Sequence, residues 1–288
     1  MVRAPRRLSV RFGLSVQNFG TYGDPRLLAD LARDAEAAGW EGFFVWDHLL
    51  RGDASVADPW ISLAAIAVAT ERVRIGTMVT PLPRRRPWQV ARQAVTLDHL
   101  SRGRMTLGVG LGSNARMEFA PFGEETGNVE RAALLDEGLE IVTQLWSGEA
   151  VDRSGRYTLR DARSVPRPLQ RPRIPIWVAG NWPNRGPLRR AARFDGVFPQ
   201  RIPTDPDDWM LAPDDVRSIV EIVREHREGS EPFDVAVALS DEGDAARRAD
   251  MIAEYSDAGV TWWMEGILED AGTLEEMRGL IREGPRAG

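Results

Sequence analysis

Cysteine and lysine are both absent from the 288 residues, and histidine occurs only three times. Without cysteine there is no disulfide, no thiolate nucleophile and no sulfur-ligated metal. Without lysine there is no Schiff-base chemistry, lysine-anchored pyridoxal phosphate included. All 37 basic residues are therefore arginine, a usage that a GC-rich genome suffices to explain. His48, His99 and His226 are too scattered for a histidine-rich metal centre, so no metal site is expected. No apolar run approaches the roughly 20 residues that span a bilayer. The basic start MVRAPRRLSVRFG has no long apolar stretch behind it to make a secretory signal. A cytoplasmic protein without membrane association is expected. A net charge of −6 argues against nucleic-acid binding, which needs a basic face.

What is present alternates. β-rich runs fall at 10–16, 42–46, 73–79, 105–110, 176–179, 196–198, 233–238 and 261–264. Helical spacing fills the intervals, at 25–39, 59–70, 87–100, 129–146, 188–194, 213–227, 244–258 and 274–282. The first of these, PRLLADLARDAEAAGW, has Asp24 before Pro25 and stops at Gly39, the signature of an N-cap, a first-turn proline and a C-terminal glycine. Eight strand–helix units predict parallel βαβ architecture and a single (β/α)₈ TIM barrel over residues 1–288, a length that suits that fold. An open doubly wound sheet is the runner-up, but the glycine-rich fingerprint after its first strand is missing. Residues 148–175, rich in Arg and Pro, read as one irregular excursion carrying a small hairpin near 156–159.

In such a barrel the chemistry sits at the C-terminal ends of the strands. The second strand runs through FFVW into Asp47 and His48. One reading makes Asp47 a turn cap and His48 a solvated loop residue. The other makes them functional, since histidine exchanges protons near neutral pH. The third strand carries Thr77, Met78 and Val79 to the rim, followed by Arg84-Arg85-Arg86, expected to be a solvated basic turn. Gly108, Gly110 and Gly112 alternate on the fourth strand, where small residues on one face leave room for a flat ligand. Ala179-Gly180-Asn181 lies between a strand and a helix expected to begin near Pro187, either an ordinary loop or a set of backbone N–H groups for a phosphate. Of Trp262 and Trp263 one is expected in the core, and Glu265 is expected to reach the rim. His99 and His226 read as structural or solvated.

Taken together, LARDAEAAGWEGFFVWDHLL, DPWISLAAIAVATERVRIGTMVTP, PWQVARQAVTLDHLSRGRMTLGVGLGS, PIWVAGNWPNRGPLRRAARFDGVFP and YSDAGVTWWMEGI resemble the bacterial luciferase-like flavin and deazaflavin oxidoreductase superfamily. The resemblance covers most of the chain. It implies a (β/α)₈ barrel binding FMN or coenzyme F-420 at its C-terminal mouth, and a hydride transfer or a monooxygenation. Asp47 and His48 match a pair that ends the second strand in the deazaflavin branch, where the acid contacts the ring and the histidine transfers a proton. This pair tilts the expectation toward coenzyme F-420 over FMN. A non-prolyl cis peptide is implied within Thr77-Met78-Val79, and a phosphate-binding segment at Ala179-Gly180-Asn181. Two departures stand out. Asn181 and Trp182 replace a more glycine-rich sequence, and Gly112-Ser113-Asn114 lacks the glutamate that some relatives place after the fourth strand, with Glu118 coming only later. The segment 200–231 is also short for the family, which implies an open pocket.

The implied cofactor-binding set is thus Asp47, Thr77, Met78, Val79, Gly110, Ala179, Gly180 and Asn181, with His48 and Asp47 as catalytic residues, His48 as general acid or base and Asp47 either orienting it or contacting the ring. A small or medium apolar substrate is expected against an aromatic rim of Phe19, Trp177 and Trp262. A separate flavin reductase is implied in the FMN case, and a homodimer is an expectation from relatives. The competing readings are a flavin-binding barrel without turnover, acting as carrier or sensor, and a metal-dependent barrel hydrolase.

Overall fold

The computed structural model of the chain describes residues 10–113, 115–202, 209–240 and 245–286. Eight parallel strands close into a barrel: β1 (Arg11–Val16), β2 (Gly42–Val45), β3 (Arg74–Pro81), β4 (Met105–Gly110), β7 (Ile176–Trp182), β8 (Gly196–Arg201), β9 (Asp234–Ala238) and β10 (Trp262–Ile267). They follow one another in chain order around the ring, which β10 closes by pairing with β1. Two short antiparallel strands, β5 (Val151–Arg153) and β6 (Leu159–Ala162), form the hairpin of the excursion. Around the barrel pack α1 (Pro25–Ala37), α2 (Pro59–Ala69), α3 (Pro87–Leu100), α5 (Asn128–Trp146), α6 (Arg185–Ala191), α7 (Pro213–His226), α8 (Ala245–Ala258) and α9 (Leu274–Glu283). A one-turn helix, α4 (Ala115–Glu118), stands in the loop after β4. No helix among the described residues is long and apolar enough to cross a membrane.

Local chemistry sets the helix starts. The Asp24 carboxylate accepts from the Arg26 amide at 2.8 Å, and Asp58 accepts from Trp60 and Ile61 at 2.9 Å. Each aspartate is followed by a proline whose missing N–H would have been an orphan. Thr273 and Glu276 close a reciprocal capping box on α9. The main core lies between the sheet and the helix layer, and a second, smaller cluster fills the barrel itself.

All eight expected strands are present, but several run further toward the mouth. β7 continues through Ala179-Gly180-Asn181 to Trp182, because Gly180, Asn181 and Trp182 pair in register with Pro199, Gln200 and Arg201 of β8. Ladder pairing overrides weak local propensity here, so the segment expected as a loop is a strand end. The next helix accordingly begins at Arg185, not near Pro187. Asn114, Asp244 and the basic start of the chain lie outside the described residues.

Candidate active site at the barrel mouth

The loop after β2 leaves the C-terminal end of the barrel and is fixed at once. Trp46 Nε1 donates to Ser15 Oγ at 2.9 Å. Asn18, from the loop after β1, holds the His48 backbone at both ends: Oδ1 accepts from His48 N at 3.1 Å, and Nδ2 donates to His48 O at 3.0 Å. The same Nδ2 donates to Ala57 O at 2.7 Å, and Asn18 is fully buried. Phe19 stands edge-on to the His48 ring at 5.4 Å, and Trp46 lies tilted against it at 5.6 Å. The imidazole is therefore walled by aromatics, with its side chain 15% exposed.

Beneath it is a buried charge cluster. Asp47 accepts from Thr80 Oγ1 at 2.9 Å, from Arg85 Nη2 at 2.7 Å and from Arg84 Nη2 at 3.2 Å; the same Arg84 nitrogen reaches Asp47 O at 2.5 Å. Arg84 Nη1 donates to Glu118 Oε2 at 2.5 Å. Glu118 Oε1 meets His48 Nδ1, and its Oε2 also accepts from the Leu49 amide at 3.2 Å. Arg84 thus bridges two carboxylates at 4% side-chain exposure. Burial pushes the Glu118 carboxyl up, but the hydrogen bond and charge of His48, joined by those of Arg84, outweigh it and hold the group below its ordinary value.

Two expectations are corrected by this cluster. Arg84-Arg85-Arg86 is not a solvated turn: Arg84 and Arg85 face inward, and only Arg86 is exposed, with its guanidinium over the Trp88 ring at 5.9 Å. Two carboxylates waiting at the mouth draw two guanidiniums out of water. The acid bonded to His48 is Glu118, 70 residues away in the chain, while the Asp47 side chain bonds to arginines and a threonine. No spacing rule could have joined Glu118 to His48. The available signals were an acid on a short helix just past a barrel strand and an arginine run with no nearby acid of its own.

The barrel lumen explains a third correction. Side chains alternate along each strand between lumen and helix layer. Phe44, Trp177 and Trp262 meet inside, with ring centroids 5.1 to 6.0 Å apart. Trp177 is the second residue of β7 and Trp262 the first of β10. Both lie deep, at 0% and 1% exposure, and form no rim. Of the three aromatics expected there, only Phe19 borders His48. Trp263 is also buried; it faces the helices, as does Glu265, whose carboxylate accepts from Arg248 at 3.2 Å and from Trp263 Nε1 at 3.3 Å instead of reaching the rim.

Above the aromatic layer, partly buried Val79, Ala179 and Ala238 form the upper lumen. The Met78–Val79 peptide is cis and lies where the β3–β4 register shifts, between Thr77 and Thr80. The room beside Gly108 and Gly110 is taken by this bulge. A Cβ on Gly108 would stand 2.1 Å from Thr77 O, and one on Gly110 would stand 2.9 Å from Val79 Cγ2. Gly110 thus enters the site through Val79, which it allows to sit at the mouth. Across the barrel, Asn181, Gln200, Arg201, Ile202, Trp209 and Ala238 line a cavity of about 310 Å³. Trp182 Nε1 and Arg201 Nη1 donate to Asp215 at 2.9 and 2.7 Å. His99 and His226 are remote from the mouth, bonded to Arg167 O and Ile222 O.

Comparison with known proteins identifies the family and the fold. The family model for luciferase-like monooxygenases matches residues 10–278, and the chain belongs to that family. It is 40% identical over 182 residues to a coenzyme F-420-dependent glucose-6-phosphate dehydrogenase of Beutenbergia cavernae, over 60% of this chain and 52% of that protein. The match thus spans about half the length of that relative. It is 32% identical over 259 residues to the 4-hydroxyprotoasukamycin monooxygenase of Streptomyces nodosus subsp. asukaensis, over 84% of this chain and 65% of that protein. The coenzyme F-420-dependent tetrahydromethanopterin reductase of Methanopyrus kandleri shares the fold, with a TM-score of 0.75 at 20% identity over 96% of this chain and 97% of that one.

Proposed function

We propose, taking that family as the premise, that the chain is an oxidoreductase that holds coenzyme F-420 at the mouth of its barrel and uses His48 for proton transfer. The observation that carries this reading is the contact between His48 Nδ1 and Glu118 Oε1 above a buried arginine. A carboxylate at Nδ1 keeps the proton of a neutral imidazole there and leaves Nε2 with its lone pair, so the ring is set to exchange a proton through Nε2. Phe19, Trp46 and the Asn18 clamp fix the ring plane. Preorganised geometry of this kind is what proton-transfer catalysis requires.

The residues at the mouth suit a flat heterocycle. Val79 and Ala179 offer an apolar floor, with Met78 beneath it in the lumen, and Gly110 keeps Val79 in place. Thr77 donates its hydroxyl to Gly108 O at 2.8 Å and so ties the bulge to β4. Gly180 and Asn181 lie near the end of β7 beside this floor, with the Gln200 and Asn181 amides available to polar ring edges or a tail. Asp47, in this reading, supports the ring-facing side of the site by holding Arg84 and Arg85. The cofactor supplies the redox chemistry when bound, accepting or giving a hydride. The protein orients it, excludes water from one side and moves a proton at the substrate oxygen through His48 Nε2.

A second reading is an FMN monooxygenase supplied by a separate reductase, favoured by the long match to a monooxygenase relative. Equilibrium titration with coenzyme F-420 and with FMN, followed by fluorescence, separates the two. Preference for coenzyme F-420 supports the first and preference for FMN the second. Binding of neither below roughly 100 μM, about −5.5 kcal/mol, would sink both.

A further inference from the structure

The loops that rim the mouth are unusually apolar for a chain of net charge −6. Leu49 and Leu50 follow His48; Met117 and Phe122 flank Glu118; Ile202 and Trp209 stand after β8. All six are between 38 and 52% exposed. The remaining large exposed hydrophobic residues, among those described, are scattered over α2, α3, α5 and the connection from β6 to β7. Single exposed apolar side chains need no explanation, but the four on the two loops joined by the His48–Glu118 contact do; Ile202 and Trp209 line the cavity across the barrel. The gathering is also built in. The Glu118 carboxylate bonds both the His48 ring and the Leu49 amide, so the contact that orients the imidazole also pins the two loops bearing Leu49, Leu50, Met117 and Phe122 against each other.

We infer that this lip binds the substrate, and that the substrate is an uncharged molecule with an extended apolar body and its polar reacting atom at His48. The inference rests on the reading of His48 as the proton-transfer residue. Charge points the same way. A phosphorylated or carboxylated substrate needs a guanidinium free to pair with it, yet Arg84 is shared between Asp47 and Glu118, and Arg85 pairs with Asp47 through Nη2 and keeps only its buried Nε without a partner. Arg51, on the loop beyond Leu50, lies over the Phe19 ring at 4.9 Å.

The test uses calorimetry and the absorbance of bound cofactor, so no turnover is needed. Cofactor-loaded protein is titrated with straight-chain methyl ketones from butanone to decanone and, separately, with glucose 6-phosphate. Affinity is expected to rise about two- to fourfold per methylene, with no response to the sugar phosphate. In Phe122→Ser and Met117→Gln the increment per methylene shrinks while cofactor affinity stays unchanged. Tighter binding of glucose 6-phosphate than of any ketone, or an affinity flat with chain length, overturns the inference. Failure of the protein to take up either cofactor is a separate result that defeats the proposed function. The same ketone series on cofactor-free protein then still reads the lip by itself.

Discussion

Replacing Glu118 with glutamine removes one charge and almost no volume, and it strikes the point where the site and the fold depend on each other. The carboxylate now accepts from Arg84 Nη1 at 2.5 Å and from the Leu49 amide at 3.2 Å, and it holds His48 Nδ1. Breaking a buried ion pair costs about 3–5 kcal/mol, because the remaining charge stays out of water. Here Arg84 keeps Asp47, and the new amide oxygen still accepts one hydrogen bond, so about 2–3 kcal/mol is expected. For a chain of 288 residues that is a fall of roughly 3–5 °C in Tm. The catalytic effect is separate. An amide can offer His48 either oxygen or N–H, and the tautomer is no longer dictated; kcat/KM should fall about 10–100-fold. Nitrogen NMR of the His48 ring reads the tautomer directly, without substrate. The wild-type ring should carry its proton on Nδ1 when neutral, and the variant should show a mixture. A wild-type ring protonated at Nε2 alone, or a variant with unchanged ring spectra and unchanged pH–rate profile, would refute the positioning role.

Other perturbations test neighbouring parts of the argument. His48→Ala should lose about 10²–10⁴-fold in turnover while binding cofactor normally; full activity would remove the assignment. Arg84→Met leaves Asp47 and Glu118 without their shared partner and should cost about 3–5 kcal/mol or more in denaturant unfolding, whereas Arg86→Ala should stay within about 0.5 kcal/mol. Equal costs would mean the triplet is a surface turn after all. Trp177→Ala should cost about 3–5 kcal/mol if the ring fills the lumen as Phe44 and Trp262 around it indicate; a rim residue would cost far less. For pH, burial acts to raise the carboxyls of Glu118, Asp34 and Asp136, but arginine partners, with His48 at Glu118, outweigh it and hold all three below their ordinary values. A depressed folded-state value means stability present above the unfolded value, about 4, and lost as pH falls through the folded one. Acid unfolding should therefore be shallower in Glu118→Gln, which no longer titrates there, and matching slopes would tell against it.

The barrel was readable because each element carried its own punctuation. Apolar runs such as FFVW and the aspartate–proline starts of α1 and α2 speak through short-range chemistry. Strand ends were less legible: Gly180, Asn181 and Trp182 have no strand character alone and become strand through pairing with β8. Asp47 and His48 could be placed at the mouth because they follow closely on the end of a strand. Their partners could not, since Thr80, Arg84 and Glu118 lie 33 to 70 residues away from them. Trp177 and Trp262 were misplaced for a simple reason of depth. Knowing that a residue faces the lumen does not say how far down its strand it stands, and both stand within the first two residues of their strands, deep in the barrel.

The placement of charge says more about function than its amount. Two carboxylates and two arginines crowd against one wall of the mouth, with side-chain exposures of 1, 2, 4 and 21%. Well-packed apolar residues would hold β2, β3 and the loop after β4 together at least as well, since desolvation offsets most of what such pairs gain. The elements nearby already show that solution: the α2, α3 and α5 faces are closed with Leu63, Val90, Leu139 and their neighbours. A polar cluster retained at one strand end, beside a lumen whose central layer is aromatic and aliphatic, is weak as a stabiliser but does what apolar packing cannot. It gives His48 one orientation and one hydrogen-bond partner. If Asp47, Arg84, Arg85 and Glu118 served stability alone, replacing all four with apolar residues of similar volume would keep both fold and His48 geometry. We expect it to keep the fold, with Tm equal to the wild type or higher, while the His48 ring loses its fixed tautomer. Retention of a single tautomer in that variant would show that the aromatic walls of Phe19 and Trp46 suffice, and that the charges have no role in orienting the imidazole.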